Sequence, residues 1–154
     1  MESRLEIQKV APQAYRTMAS LETYVRNSGL EESLLLLMKL RASQMNGCSY
    51  CIDMHTKDAR ANGESEQRLY ALTAWRETPF FTNRERAALD WTEALTSISV
   101  SQAPDDVYEE VRQRFTELEL VNLTMAIVTI NGWNRICVGF RKVPGTYEPS
   151  SKHS

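Results

Sequence analysis

The stretch NGCSYCIDMH, from Asn46 to His55, places two cysteines three positions apart and a histidine four positions after the second. Residues at these spacings share one face of a helix, so the side chains of Cys48, Cys51 and His55 are expected to lie together. A break at Asn46 and Gly47 puts both cysteines in the first helical turn, where unpaired backbone N–H groups stabilise a thiolate. The stretch therefore predicts thiol redox chemistry and makes an enzyme the leading hypothesis.

The two thiols differ in what would activate them. Cys48 is nearer the end of the helix, and position alone favours it as the attacking thiol. Cys51 has His55 one turn further on, at a rise of roughly 6 Å, and the imidazole there acts on Cys51 directly or through a water. We give the specific base more weight than the helix end. Cys51 is therefore predicted to attack and Cys48 to close a disulfide on it.

Other interpretations of these residues require further groups. A structural zinc site needs about four ligands, and the CxxC with its histidine supplies three, which leaves Cys137, a distant acid or the tail His153 as the fourth. A c-type haem needs histidine directly after the second cysteine, where this chain has Ile52. A thioredoxin-type domain needs a βαβ frame, and a merely buried pair of thiols would not require the matched histidine. We expect no metal and no organic cofactor, and Cys137 is interpreted as a small core residue.

Length and composition set wide limits on the protein class. A chain of 154 residues is one domain's worth. The formal net charge of −2 suggests no nucleic-acid or anionic-membrane partner. Three cysteines are an odd set, the first ten residues are polar, and no apolar run reaches the length of a membrane span. The expectation is a soluble cytoplasmic protein, where a CxxC is more often catalytic or metal-binding than structural.

The hydrophobic pattern predicts an all-α chain, because no convincing period-2 strand appears. Capping boxes, proline starts and glycine stops divide it into helices near residues 12–27, 31–45, 48–63, 65–76, 82–96 and 116–140, with one more that opens at Pro104. We assign residues 1–142 to a single helical domain and 143–154 to a flexible C-terminal tail. The helices at 31–45 and 116–140 are apolar on all sides, which requires burial. Two forms of burial are expected: inside the core of the domain, or in part between subunits.

The sequence around the CxxC resembles a known family. The stretch LRASQMNGCSYCIDMHTKDAR, followed by RLYALTAWRETPFFTNRERAALDWTEALT, is similar to the alkylhydroperoxidase AhpD-like branch of the carboxymuconolactone decarboxylase superfamily. The resemblance runs from roughly Leu30 to Leu95, with a weaker echo in INGWNR. It implies an AhpD-like helical bundle with the CxxC at the N-terminus of a central helix. It also implies a symmetric dimer, trimer or hexamer and reduction of peroxide by a dithiol.

The resemblance gives roles to three residues of this chain, and at two other positions the chain has a different residue from the family. The second family cysteine is peroxidatic and the first resolves, which maps onto Cys51 and Cys48, and the family histidine maps onto His55. The best-studied members also have a histidine between the cysteines, where this chain has Tyr50. They have a relay glutamate twelve positions before the first cysteine, where it has Leu36. Glu32, one turn earlier on the same face, is a candidate substitute.

The sequence therefore predicts a thiol-dependent peroxidase for alkyl or hydrogen peroxide. Its disulfide would be reduced by an external thiol or a lipoyl-type carrier, and it would act as a homo-oligomer without nucleic-acid or membrane partners. Two alternatives stay open. One is a dithiol–disulfide oxidoreductase that acts on another protein. The other is a redox sensor or zinc-stabilised module without efficient turnover.

Overall fold

In a computed structural model that describes residues 1–149, the regular elements are helices and no strand is present in that range. In chain order they are α1 (Ile7–Val10), α2 (Pro12–Arg26), α3 (Glu32–Met45), α4 (Ser49–Ala61), α5 (Glu66–Ala71), a 3₁₀ helix (Leu72–Glu77), α6 (Asn83–Thr96), α7 (Ile98–Ser101), α8 (Asp105–Arg114) and α9 (Glu117–Gly139). The all-α prediction is confirmed. The short helices α1 and α7 were not predicted, and the single helix expected at 65–76 is divided between α5 and the 3₁₀ helix.

Local signals set most helix ends. Thr82 and Thr116 form the capping boxes that begin α6 and α9. In each box the threonine hydroxyl oxygen accepts from the backbone N–H of a glutamate three positions later, and the side chain of that glutamate accepts from the threonine backbone N–H. Gly47 has a φ of +64°, in the left-handed region that favours glycine, and it turns the chain out of α3. Cys48 is then the N-cap of α4 rather than part of its first turn. The predicted placement of the CxxC at a helix N-terminus is confirmed.

Helix α3 lies at the centre of the bundle and packs against α4, α6 and α9. Its apolar side chains are buried in two clusters, one shared with α6, α8 and α9 and the other with α4, α5 and the 3₁₀ helix. Each buried leucine contributes roughly 1.5–3 kcal/mol of transfer free energy. The prediction that this helix is buried all round is confirmed for Leu34, Leu35, Leu37, Met38 and Leu40.

Helix α9 is buried on one side only. Its other side exposes an apolar stripe, which consists of Leu118, Val121 and Val128, with exposed fractions between 52% and 67%. The expectation of burial all round is therefore wrong for α9 within one chain. Burial of the stripe between subunits stays a prediction.

The segment after α9 runs back along α4. The backbone N–H of Gly145 donates to Asp53 at 3.0 Å, and the hydroxyl of Tyr147 donates to Asp58 at 2.6 Å. Gly145 and Tyr147 belong to the segment 143–154, which we expected to be a flexible tail, and these bonds join its first half to α4. The flexibility of the tail stays a prediction. Residues 150–154 lie outside the described part of the chain. Across residues 1–149, none of the helices combines the length and apolar character needed to cross a membrane.

Candidate functional site

The cysteines of the CxxC are joined at the start of α4. Cys48 and Cys51 form a disulfide, with their Cα atoms 5.4 Å apart, inside the usual range of about 4.4–6.8 Å. The backbone N–H of Cys51 also donates to Cys48 Sγ at 3.3 Å. Both residues are only 1% exposed. The pair is therefore a dithiol in its oxidised state, shielded from solvent.

The turn before Cys48 is held by buried amide side chains. The Asn46 amide donates to Asn134 at 2.9 Å and to Asn131 at 3.0 Å, both on α9. Asn134 donates in turn to Ser43 Oγ at 3.0 Å, and the Ser43 carbonyl accepts from the Cys48 backbone at 3.0 Å. This network fixes the start of α4 against α9. A signal was present in the sequence, because two asparagines inside an apolar helix need partners when buried.

His55 lies one turn after Cys51 and is 5% exposed. Neither ring nitrogen has a hydrogen-bond partner within residues 1–149. Burial lowers the pKa of His55 from 6.5 to about 3, and the positive charge of Lys39 adds to the lowering. With the disulfide closed, the imidazole is therefore neutral at neutral pH. In this oxidised state the low pKa makes it a weak base.

Lys39 is the charged residue of the site that the sequence argument missed. It is buried in the middle of α3, where its ammonium forms an ion pair with Glu22 of α2. The signal was a lysine within the run LLLLMKL, since lysine is almost never fully buried unless it is paired. This pair brings a positive charge into the neighbourhood of His55.

Leu36 and Glu32, the two positions considered for a relay acid, lie near the C-terminal half of α4, away from the CxxC at its N-terminus. Leu36 packs against the aliphatic cluster that contains Ala59, and it lines a small cavity with Asn62 and Gly63. Burial raises the pKa of Asp58, and the charge of Glu32 adds a smaller increase, which places Glu32 near Asp58. The family resemblance puts a relay acid at position 36, but Leu36 lies beside the C-terminal half of α4 and not beside the thiols. At this site, Lys39 lies on α3 one turn closer to them.

Cys137 belongs to the site as well as to the core. Its sulfur and those of Cys48 and Cys51 all lie within 4.8 Å of one another. Burial raises the pKa of the Cys137 thiol, and the charge of Lys142 opposes this in part. The ammonium of Lys142 also lies 4.1 Å from the ring centre of Tyr50, which packs against the three sulfurs. The interpretation of Cys137 as a small buried residue is right in burial but missed its neighbours.

The chain belongs to the carboxymuconolactone decarboxylase family, whose pattern residues 12–94 match. It is 43% identical over 138 residues to the uncharacterized protein YdfG of Bacillus subtilis, across 90% of this chain and 94% of that protein. It is also similar to a solved structure from Agrobacterium tumefaciens, a protein of unknown function that is described as an AhpD-type antioxidant defence protein. That similarity has a TM-score of 0.92 and 45% identity, over 95% of this chain and 100% of the other. Within the family, the chain lies in the AhpD-like branch.

The fold alone does not fix the reaction. The debrominase Bmp8 has the same fold, with a TM-score of 0.76 over 88% of this chain and 73% of its own, but only 17% identity. One scaffold therefore carries more than one chemistry, and the activity must be argued from the site.

Proposed function

We propose that this protein is a thiol-dependent peroxidase that reduces alkyl or hydrogen peroxide through Cys48 and Cys51. The observation that carries the proposal is the buried disulfide at the start of α4, with the neutral, unpartnered His55 one turn away. The 45% identity to the AhpD-related Agrobacterium structure supports a redox role.

In the proposed cycle, His55 takes the proton from the Cys51 thiol, and the thiolate that forms one turn away raises the pKa of His55 above its value in the oxidised protein, because an opposite charge nearby favours the charged imidazole. The thiolate attacks one peroxide oxygen, the O–O bond breaks, and the leaving oxygen takes the proton back from His55 to form an alcohol or water. Cys51 is now a sulfenic acid. The Cys48 sulfur attacks it, hydroxide leaves and takes the Cys48 proton as water, and the disulfide forms. An external dithiol, or a lipoyl-type carrier, then returns two electrons and two protons.

Burial of the sulfurs favours this function over exchange with a protein disulfide. At 1% exposure, Cys48 and Cys51 present almost no surface to a bulky partner. A small peroxide needs only a narrow path. A slender carrier such as a lipoyl arm suits the reduction step for the same reason.

A direct test begins with fully reduced protein and one equivalent of peroxide. Alkylation of the remaining thiols, followed by peptide mass mapping, is expected to show the Cys48–Cys51 disulfide. Turnover with small dithiols and lipoamide should then exceed turnover with a protein disulfide substrate. If both thiols stay alkylatable after peroxide, or if only the protein disulfide is turned over, the proposal is wrong.

The roles of the two cysteines are tested in a Cys137→Ala background, because Cys137 is close enough to capture an intermediate. With Cys48→Ser, Cys51 should stop at a sulfenic acid that dimedone labels. With Cys51→Ser, peroxide should produce no label. A label on Cys48, together with none on Cys51 in the converse variant, would invert the assignment.

A further inference from the structure

Three sulfurs, rather than two, meet at the start of α4. Cys48 and Cys51 come from the N-terminus of that helix and Cys137 from α9, and all three are buried. Their sulfurs lie within 4.8 Å of one another. Among residues 1–149 they are the one group of histidine, cysteine and acidic side chains close enough to share a metal ion.

The proximity is built into the fold. Asn134 lies three positions before Cys137 on α9, and it accepts the hydrogen bond from Asn46 in the turn before Cys48. The same network therefore sets the position of Cys137 relative to the CxxC. In the oxidised protein two of the sulfurs are bonded to each other. After reduction all three become donors around one point.

We infer that the reduced protein binds a trivalent thiophilic ion of the arsenic(III) type through the sulfurs of Cys48, Cys51 and Cys137. The donor number supports this choice, because arsenic(III) forms three bonds to sulfur, whereas zinc takes about four ligands. His55, with its two unpaired nitrogens, is not part of the group of mutually close donors.

The net charge of the complex also favours arsenic(III). Three thiolates around a trivalent ion form a neutral complex. Around a divalent ion they leave one uncompensated negative charge, which is costly in a buried, largely apolar site.

The binding step needs no oxidant or reductant. Arsenous acid loses three hydroxyl groups, each thiol loses its proton, and three waters leave as three As–S bonds form. Closure of the Cys48–Cys51 disulfide removes two donors, so oxidation by peroxide should expel the ion. The site requires only the reduced thiols and does not depend on the proposed peroxidase reaction.

The experiment titrates reduced protein with sodium arsenite and follows thiol count, thermal stability and intact mass under native conditions. We expect one arsenic per chain, three protected thiols, a mass gain of one arsenic less three protons, and a higher melting temperature. The oxidised protein is the matched control and should bind none.

Two probes separate three-thiol from two-thiol binding. Phenylarsine oxide has two positions for thiols, so Cys137→Ala should leave its affinity unchanged. The same variant should bind arsenite roughly ten-fold or more weakly. Cys137→Ser serves as a second variant if the first does not fold. Equal arsenite affinity in wild type and variant, or three thiols protected by zinc but not by arsenite, would overturn the inference. Peroxide consumption in the absence of arsenite reports separately on the proposed function.

Discussion

The amide of Asn46 donates a hydrogen bond of 2.9 Å to the side-chain oxygen of Asn134, and this bond ties the turn before the CxxC to α9. Asn134 is 1% exposed, so its side-chain amide depends on partners within the protein. The bond thus holds two parts of the site in one arrangement: the dithiol on α4 and Cys137 on α9. Its loss should change both stability and thiol chemistry.

The first prediction is that Asn134→Ala lowers the free energy of unfolding by about 1–3 kcal/mol, because the buried Ser43 and the partly buried Asn46 each lose a hydrogen bond. The rate at which peroxide closes the disulfide should fall as well. Urea unfolding and stopped-flow oxidation measure the two effects. Asn122→Ala is the matched control, since Asn122 is buried on the same helix and bonds to Tyr24 and Ser28 instead. It should lose stability and keep the oxidation rate. Equal rate losses in both variants would refute a positioning role for Asn134.

The second prediction concerns acid stability of the oxidised protein. The pKa of His55 is about 3 in the folded state and about 6.5 unfolded, so the unfolded chain binds more protons between these values. The stability present above pH 6.5 should therefore be lost as the pH falls toward 3, with a slope of at most about 1.4 kcal/mol per pH unit.

His55→Gln should flatten that part of the curve. Urea unfolding at a series of pH values in this window, with the disulfide intact throughout, makes the comparison. His153→Gln removes the chain's other histidine and should retain the wild-type slope. Parallel curves for wild type and His55→Gln would show that the imidazole is not held neutral by burial.

A structural feature could be predicted from the sequence when the residues that form it lie close together in the chain. The helix starts at Thr82 and Thr116, the stop at Gly47 and the spacing of Cys48 and Cys51 are local, and each was correctly predicted. They depend on residues within one turn of each other. The all-α prediction followed from such local signals, and the AhpD-like branch followed from the resemblance of the sequence around the CxxC to that family.

The rest of the site arises from contacts between distant helices. Glu22 meets Lys39 across α2 and α3, and Cys137 meets the dithiol across α9 and α4. The period of a helix reports which face is apolar, but not which residue of another helix lies opposite. A lysine and three asparagines within apolar helices indicate that polar partners exist, but they do not identify those partners. For the same reason, matching Leu36 to the relay position of the family did not show that it packs against the cluster around Ala59.

The third prediction is that the protein is an oligomer at micromolar concentration. The exposed apolar stripe of α9 motivates it, since contiguous apolar patches mark interfaces. Light scattering coupled to gel filtration should give a mass above that of one chain. Val128→Lys should reduce this mass, because a charge would enter the stripe. Val100→Lys, at an exposed position on α7, should not. A wild-type mass of one chain would exclude the stripe as a stable interface.

The fourth prediction assigns a role to the charge of Lys39. Its ammonium lowers the pKa of His55, although burial has the larger effect. In Lys39→Met, the pKa of His55 should therefore rise but stay below 6.5. A positive charge near the site also favours a thiolate over a thiol. Its removal should slow reaction of Cys51 with peroxide roughly ten-fold at neutral pH, equivalent to about 1.4 kcal/mol.

Glu22→Gln separates this charge effect from loss of the ion pair. Both variants break the Lys39–Glu22 contact, and both should lose some stability, but only Lys39→Met removes the positive charge. The measurements are NMR titration of the His55 ring in oxidised protein and stopped-flow oxidation of reduced protein across pH. We expect the Lys39→Met rate profile to move to higher pH, and the Glu22→Gln profile to stay in place or move to lower pH. If both variants slow the reaction equally with unshifted profiles, the pair is structural and the proton that His55 handles is not controlled by Lys39.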